Sequence, residues 1–167
     1  MLFRSNLIGV KGAAYTAAAM ADAQNAPVDM LMYYDARPTG FNGIWDVYAY
    51  EPLKGWFVFD AFRRLRRLGN HVRTELSPDA AKAEELYAAA ARCKSGAHKA
   101  AVVARFVERE ENARPVNVAL KLAKGAWRKP RVRILDAKRN LEPAPFRIDG
   151  DALVLRLAPL SVALVEW

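Results

Sequence analysis

Between Val28 and Asp35 the chain reads Val-Asp-Met-Leu-Met-Tyr-Tyr-Asp, and no charged residue interrupts it from Met30 to Tyr34. A strand with one face in water alternates apolar and polar side chains. A run without alternation marks a strand covered on both faces, as parallel strands are in α/β folds. Helical patterns flank this run. Residues 9–25 are alanine-rich, and Asn25-Ala26-Pro27 stops them because proline disfavours helical backbone at the residue before it. Residues 54–68 place Val58, Phe59, Phe62 and Leu65 on one side and Asp60, Arg63, Arg64 and Arg67 on the other, with Gly69-Asn70 as a C-cap signal. Helix–strand–helix is one unit of a larger parallel sheet. Its other strands are not found in these 167 residues, so the edges of Met30–Tyr34 are expected to pair with another copy of the chain.

The loop between strand and second helix, residues 35–53, carries the turn formers Pro38, Gly40, Asn42-Gly43 and Pro52. It also carries Phe41, Trp45, Tyr48 and Tyr50, which is too aromatic for a disordered segment. A connection this long that is not disordered is usually functional.

Past residue 70 the pattern changes. His71–Leu76 alternates weakly. Short β-like runs then recur at Leu86–Cys93, Lys99–Glu108, Val116–Ala123, Pro130–Asp136, Phe146–Ile148, Ala152–Leu157 and Ser161–Trp167. Breakers separate them, among them Ser95-Gly96, the Pro143-Ala-Pro145 stretch and Asp149-Gly150, a short-hairpin signal. Val116, Val118, Leu120 and Leu122 share one face of their run, and Leu153, Leu155 and Leu157 share one of theirs. The expected fold class is therefore α+β: a helix–strand–helix segment over 1–70, then an antiparallel β-sandwich of about seven to eight strands over 71–167.

Net charge is +8, which raises nucleic acid as a partner, but the positives run from Lys11 to Arg156 and no nucleic-acid motif accompanies them. The densest cluster, Arg63, Arg64, Arg66 and Arg67, reads as the solvated face of a helix. No apolar run is long enough to span a membrane. The one cysteine, Cys93, follows an apolar run and reads as a buried, inert thiol. Met-Leu-Phe-Arg and Ala21-Asp22-Ala23 imitate a secretory leader. Lys11 breaks the apolar region, however, and Gly12–Ala23 reads as helix, which favours the cytoplasm.

The order of these features resembles the end of a known group of enzymes. An α/β unit leads into a Tyr-Tyr-Asp-Ala-Arg strand end, an aromatic Asn-Gly loop and a Pro-Leu-Lys-Gly-aromatic helix start. A β-sandwich then closes on Pro-Leu-Ser-Val-Ala-Leu-Val-Glu. This resembles the C-terminal part of retaining (β/α)8-barrel glycoside hydrolases of families 39 and 51, β-xylosidases and α-L-arabinofuranosidases among them. The resemblance covers essentially the whole chain and is most specific from Asp29 to Gly69. It implies that residues 1–70 are a barrel remnant holding the last barrel strand, with the sandwich as accessory domain. It implies hydrolysis of O-glycosidic bonds or, alternatively, a non-catalytic carbohydrate-binding module of a truncated glycosidase. The family's acid/base glutamate and nucleophile would both lie before Met1, so no residue here inherits either role.

Barrel enzymes build their sites at strand C-termini and the loops that follow. Sugars pack C–H faces on aromatic rings and give their hydroxyls to carboxylates. On that chemistry Asp35 and Asp46 are the candidate catalytic carboxylates, and Tyr34, Arg37, Trp45 and Glu51 the candidate substrate-binding residues. Asp35 could equally close a turn, Arg37 could simply pair with Asp35 or Asp46, and Trp45, Tyr48 and Tyr50 could simply pack the loop. Glu84-Glu85 and Glu108, Glu110 and Glu111 read as solvated turns. No metal or cofactor motif is present. The expected partners are a carbohydrate and a second copy of the chain through Met30–Tyr34.

Overall fold

The computed structural model describes residues 6–34, 36–38, 42–77, 79, 85–123 and 125–167. Helix α1 spans Val10–Ala23 and α2 spans Lys54–Leu68. The strands are β1 Asn70–Val72, β2 Leu86–Arg92, β3 Lys99–Phe106, β4 Val116–Lys121, β5 Arg131–Leu135, β6 Asn140–Pro143, β7 Phe146–Asp149, β8 Ala152–Leu157 and β9 Leu160–Glu166. They form two antiparallel sheets, one of six strands in the order β1-β2-β3-β9-β5-β6 and one of three in the order β4-β8-β7. The expected class holds: helix and strand are mixed, and the strands stack as a sandwich.

The six-stranded sheet is the middle layer, because its central strands β3 and β9 are buried on both faces. One face, with Ala89, Ala91, Ala100, Val102, Ala104, Val162 and Leu164, meets Ala13, Ala17 and Ala21 of α1 and Val58, Ala61, Phe62 and Leu65 of α2. Alanine faces alanine at this contact, which lets the helix backbone lie close to the sheet. The other face, with Val103, Val132, Ile134, Ala163 and Val165, meets Val118, Leu153, Leu155 and Leu157 of the smaller sheet. The leucines of β8 point inward as their alternation predicts. Residue 70, where the expected regions meet, is the first residue of β1. The helix-side core draws on both sides of it.

Helix α2 ends where its sequence says, on Gly69 at φ 87°, whose N–H reaches the Arg66 carbonyl. The β7–β8 hairpin turns on Gly150 at φ 59°, between the paired residues Asp149 and Ala152.

Several expectations are corrected. Met30–Tyr34 forms no strand. It belongs to neither sheet, and Met30, Met32 and Tyr34 are 73%, 83% and 76% exposed. An extended run becomes a strand only when another edge supplies its hydrogen-bond partners, and none of the described strands lies alongside it. β6 was not expected, because Pro143-Ala-Pro145 reads as a breaker. It pairs with β5 at the sheet edge, where a proline costs no ladder bond.

Two charged groups taken for solvated ones are structural. Asp60 is buried within α2 and held by Arg63 and Arg64. Burial works to raise its carboxyl, but the hydrogen bonds from the two arginines prevail and hold it below the usual range. Glu85 pairs with Arg105, which is 3% exposed. Arg105 donates to Glu85 Oε2 at 2.8 and 3.2 Å, to the Arg114 carbonyl at 2.7 Å and to the Leu157 carbonyl at 3.3 Å.

Candidate functional site

The loop ahead of α2 is built from its ends inward. Leu53 N–H donates to the Ile44 carbonyl at 2.9 Å, and Asp46 N–H donates to the Glu51 carbonyl at 2.8 Å. Trp45 bridges to Pro52 on one side and Pro38 on the other. Ile44 is buried, and a Cβ on Gly55 would meet it at 3.2 Å, so the small residue lets the loop base press on the first turn of α2. Trp45 stands edge-on to Trp56, with ring centroids 6.0 Å apart.

Within this frame Asp46 makes the turn. Its Oδ1 accepts the N–H groups of Tyr48 and Ala49, both at 2.8 Å, as Asp does where a side chain imitates a backbone turn. Tyr50 N–H returns to the Asp46 carbonyl at 3.1 Å, with Tyr50 at φ 55°. A non-glycine residue in this left-handed region stores strain of order 1 kcal/mol and persists where its surroundings fix it. The outcome is that Tyr48 and Tyr50 stand 84% and 70% exposed.

The preceding segment is tied to the same loop. Tyr33 donates its hydroxyl to the Asn42 carbonyl at 3.0 Å, and Asn42 Nδ2 donates to the Tyr34 carbonyl at 2.7 Å. Tyr33 also packs edge-on against Phe59 of α2, at 5.2 Å. Tyr34 is left facing solvent.

The six candidate residues therefore fare differently. Asp35 lies outside the described residues. Asp46 spends one carboxylate oxygen on its own turn. Trp45 is half-buried and packs against Trp56, while Tyr34, Arg37 and Glu51 are exposed. Glu51 contributes its carbonyl, not its side chain, to the loop's closure. Tyr48 and Tyr50, for which the sequence left packing open, are exposed rings among the described residues of the loop. The signal was the aspartate two residues before Tyr48: a side chain that caps the N–H groups two and three residues on closes a tight turn and leaves the residues on it without a core to enter.

Cys93 is also corrected. It sits half-buried just past β2, in the turn to β3, rather than in the core. Its Sγ lies 3.2 Å from Ser95 Oγ and accepts His98 N–H at 3.3 Å. The Ser95 hydroxyl chiefly, then the N–H of His98, lower its pKa from 9.0 to about 7. About half of this thiol is ionised at pH 7, against about one part in a hundred at the ordinary value. Alkylation by iodoacetamide followed from pH 5 to 10 should show a midpoint near pH 7. Ser95→Ala should move that midpoint up; an unchanged midpoint would remove the hydroxyl as the cause.

No protein-family model matches the sequence, and no curated protein matches it. Solved structures do. A glycoside hydrolase family 30 subfamily 8 xylanase from Clostridium acetobutylicum superposes with TM-score 0.73 at 14% identity, over 95% of this chain and 39% of that one. A family 30 endoxylanase from Clostridium papyrosolvens superposes with TM-score 0.70 at 14% identity, over 95% and 38%. A family 39 glycoside hydrolase from the gut symbiont Bacteroides cellulosilyticus gives TM-score 0.59 at 17% identity, over 93% and 30%. In fold, this chain is similar to part of a glycoside hydrolase. It spans about two fifths or less of each of those chains. The family 39 likeness read from the sequence holds at the level of fold. Family 30, not anticipated, superposes better.

Proposed function

We propose that this chain binds neutral glycan chains of the xylan type through the tyrosines of its aromatic loop, and that it works as a carbohydrate-binding unit rather than as a self-sufficient hydrolase. The observation that carries this reading is the exposure of Tyr48 and Tyr50 on a loop closed by Asp46, with Tyr34 exposed on the segment strapped to that loop. Amphipathic rings held in water suit the C–H faces of sugars, and their hydroxyls suit sugar hydroxyls. The similar folds support the choice of glycan, since two of them are named as xylanases. Hydrolysis would require two carboxylates at a defined spacing, and Asp46 is engaged in its turn.

Affinity electrophoresis in gels containing soluble xylan tests this. The chain should be retarded, and Tyr48→Ala and Tyr50→Ala should each weaken binding about fivefold, from about 1 kcal/mol per ring. Equal retardation of both variants would reject the site. Turnover of nitrophenyl glycosides that is lost in Asp46→Asn would favour the hydrolase reading instead.

Self-association belongs to the same proposal. Met30, Leu31 and Met32 stand 73%, 56% and 83% exposed in a row, and among the described residues no strand pairs with them. Contiguous apolar surface of this kind is covered in solution, here by a second copy. Light scattering should give a mass above that of one chain, falling towards it in Leu31→Lys/Met32→Lys. A monomer at all concentrations would contradict it.

A further inference from the structure

Beyond α2 from the aromatic loop lies a second cleft, of about 510 Å³, lined by Arg64, Lys99, Arg128, Lys129, Arg131 and Trp167 among others. Four separate segments build it: the later turns of α2, the start of β3, the β4–β5 connection and the end of β9. Arg64 follows Lys54 by ten residues along the helix, roughly 15 Å, so this cleft is distinct from the loop.

Its charge is unbalanced. Glu166 is the side-chain carboxylate that lines it, and it is already shared between Arg64, at 3.5 Å, and Arg133. Among the described residues, no carboxylate lies in ion-pair range of Lys99, Arg128, Lys129 or Arg131. Four cations without an ion-pair partner among the described residues, around one concave surface, repel each other and raise the local concentration of any anion that enters. The backbone adds a second sign. Lys129 has φ 46°, a left-handed conformation that a lysine rarely takes, and Pro130 follows it. Proline further restricts the residue before it, and such strain tends to persist at working sites. Lys129 lines the cleft together with Arg128 and Arg131.

We propose that this cleft binds the oxyanions of an acidic glycan, carboxylate or sulfate groups borne on a saccharide chain. The inference rests on the glycan-binding reading above for the saccharide and on the charge of the cleft for the oxyanion. Arg128 and Arg131 stand among these cations, and the planar fork of arginine matches both oxyanions two bonds at a time. Trp167 does not make the cleft a stacking platform of the kind that single-stranded nucleic acid uses, because it is packed with Trp127 against the sandwich core, at a centroid distance of 4.7 Å.

Titration of the full chain at fixed ionic strength with polygalacturonate, dextran sulfate, neutral dextran and a DNA duplex tests this. One or both acidic glycans should bind, and which one separates carboxylate from sulfate. Arg128→Gln/Arg131→Gln, changed at two exposed positions, should weaken that binding about tenfold or more, as loss of charge-assisted hydrogen bonds does, with an unchanged melting temperature. Binding should also weaken steeply with salt. The same variant should keep the neutral-glycan affinity that Tyr48→Ala loses, so the two proposals fail separately. Acidic-glycan binding that survives the double substitution, no acidic-glycan binding at all, or DNA bound as tightly as the acidic glycans would each overturn the inference.

Discussion

Arg105→Ala is expected to lower unfolding free energy by about 3 kcal/mol, the lower end of what breaking a buried ion pair costs. The guanidinium is 3% exposed and lies where the two sheets of the sandwich meet. It joins Glu85, just before β2, to the Arg114 carbonyl before β4 and the Leu157 carbonyl at the end of β8. Removing it leaves two carbonyls without this donor and one carboxylate without its cation. The lower end of the range applies because the Glu85 side chain keeps 33% of its exposure and water can recover part of the loss. Replacing both partners, Arg105→Met with Glu85→Leu, should recover much of the stability, because the desolvation cost disappears along with the attraction. Urea denaturation of the two singles and the double completes the cycle. An Arg105→Ala loss below about 1 kcal/mol would show that the pair behaves as a surface salt bridge.

Leu164→Ala is expected to cost a similar amount, about 3 kcal/mol within the usual 2–5 for a large-to-small core change. Leu164 is fully buried in β9, between β3 and β5. Its side chain belongs to the core under the helices, while Ala163 and Val165 on the same strand belong to the core between the sheets. One strand thus serves both cores, and a cavity on one face weakens a sheet that the other face needs. Helical circular dichroism and the fluorescence of Trp127 and Trp167, read in a Trp45→Phe/Trp56→Phe background, should therefore fall together, with and without Leu164→Ala. Two separated transitions would mean that residues 1–70 and 71–167 unfold independently.

Much of this architecture could be read from the chain. The 3.6-residue period and Gly69 bounded α2, and alternating leucines with Asp149-Gly150 marked β7 and β8. Met30–Tyr34 misled because apolarity reports that a segment seeks cover, whereas a strand needs a neighbouring edge. β6 was hidden by prolines that an edge position tolerates. At the loop, turn formers and aromatic residues marked an ordered connection rather than a disordered one. Which rings point outward depended on Asp46 closing its own turn, and composition does not carry that. The basic cleft was illegible for another reason: Arg64, Lys99 and Arg128–Arg131 are far apart in sequence and meet only when α2 lies on the sheet.

The central claim, that the tyrosine loop holds a glycan, is tested most directly by calorimetric titration of a neutral oligosaccharide into the parent chain and into Tyr48→Ala/Tyr50→Ala. The account expects saturable binding by the parent, about thirtyfold weaker in the double variant if the two rings contribute about 1 kcal/mol each. Equal affinity for both chains, with both folded, would contradict it.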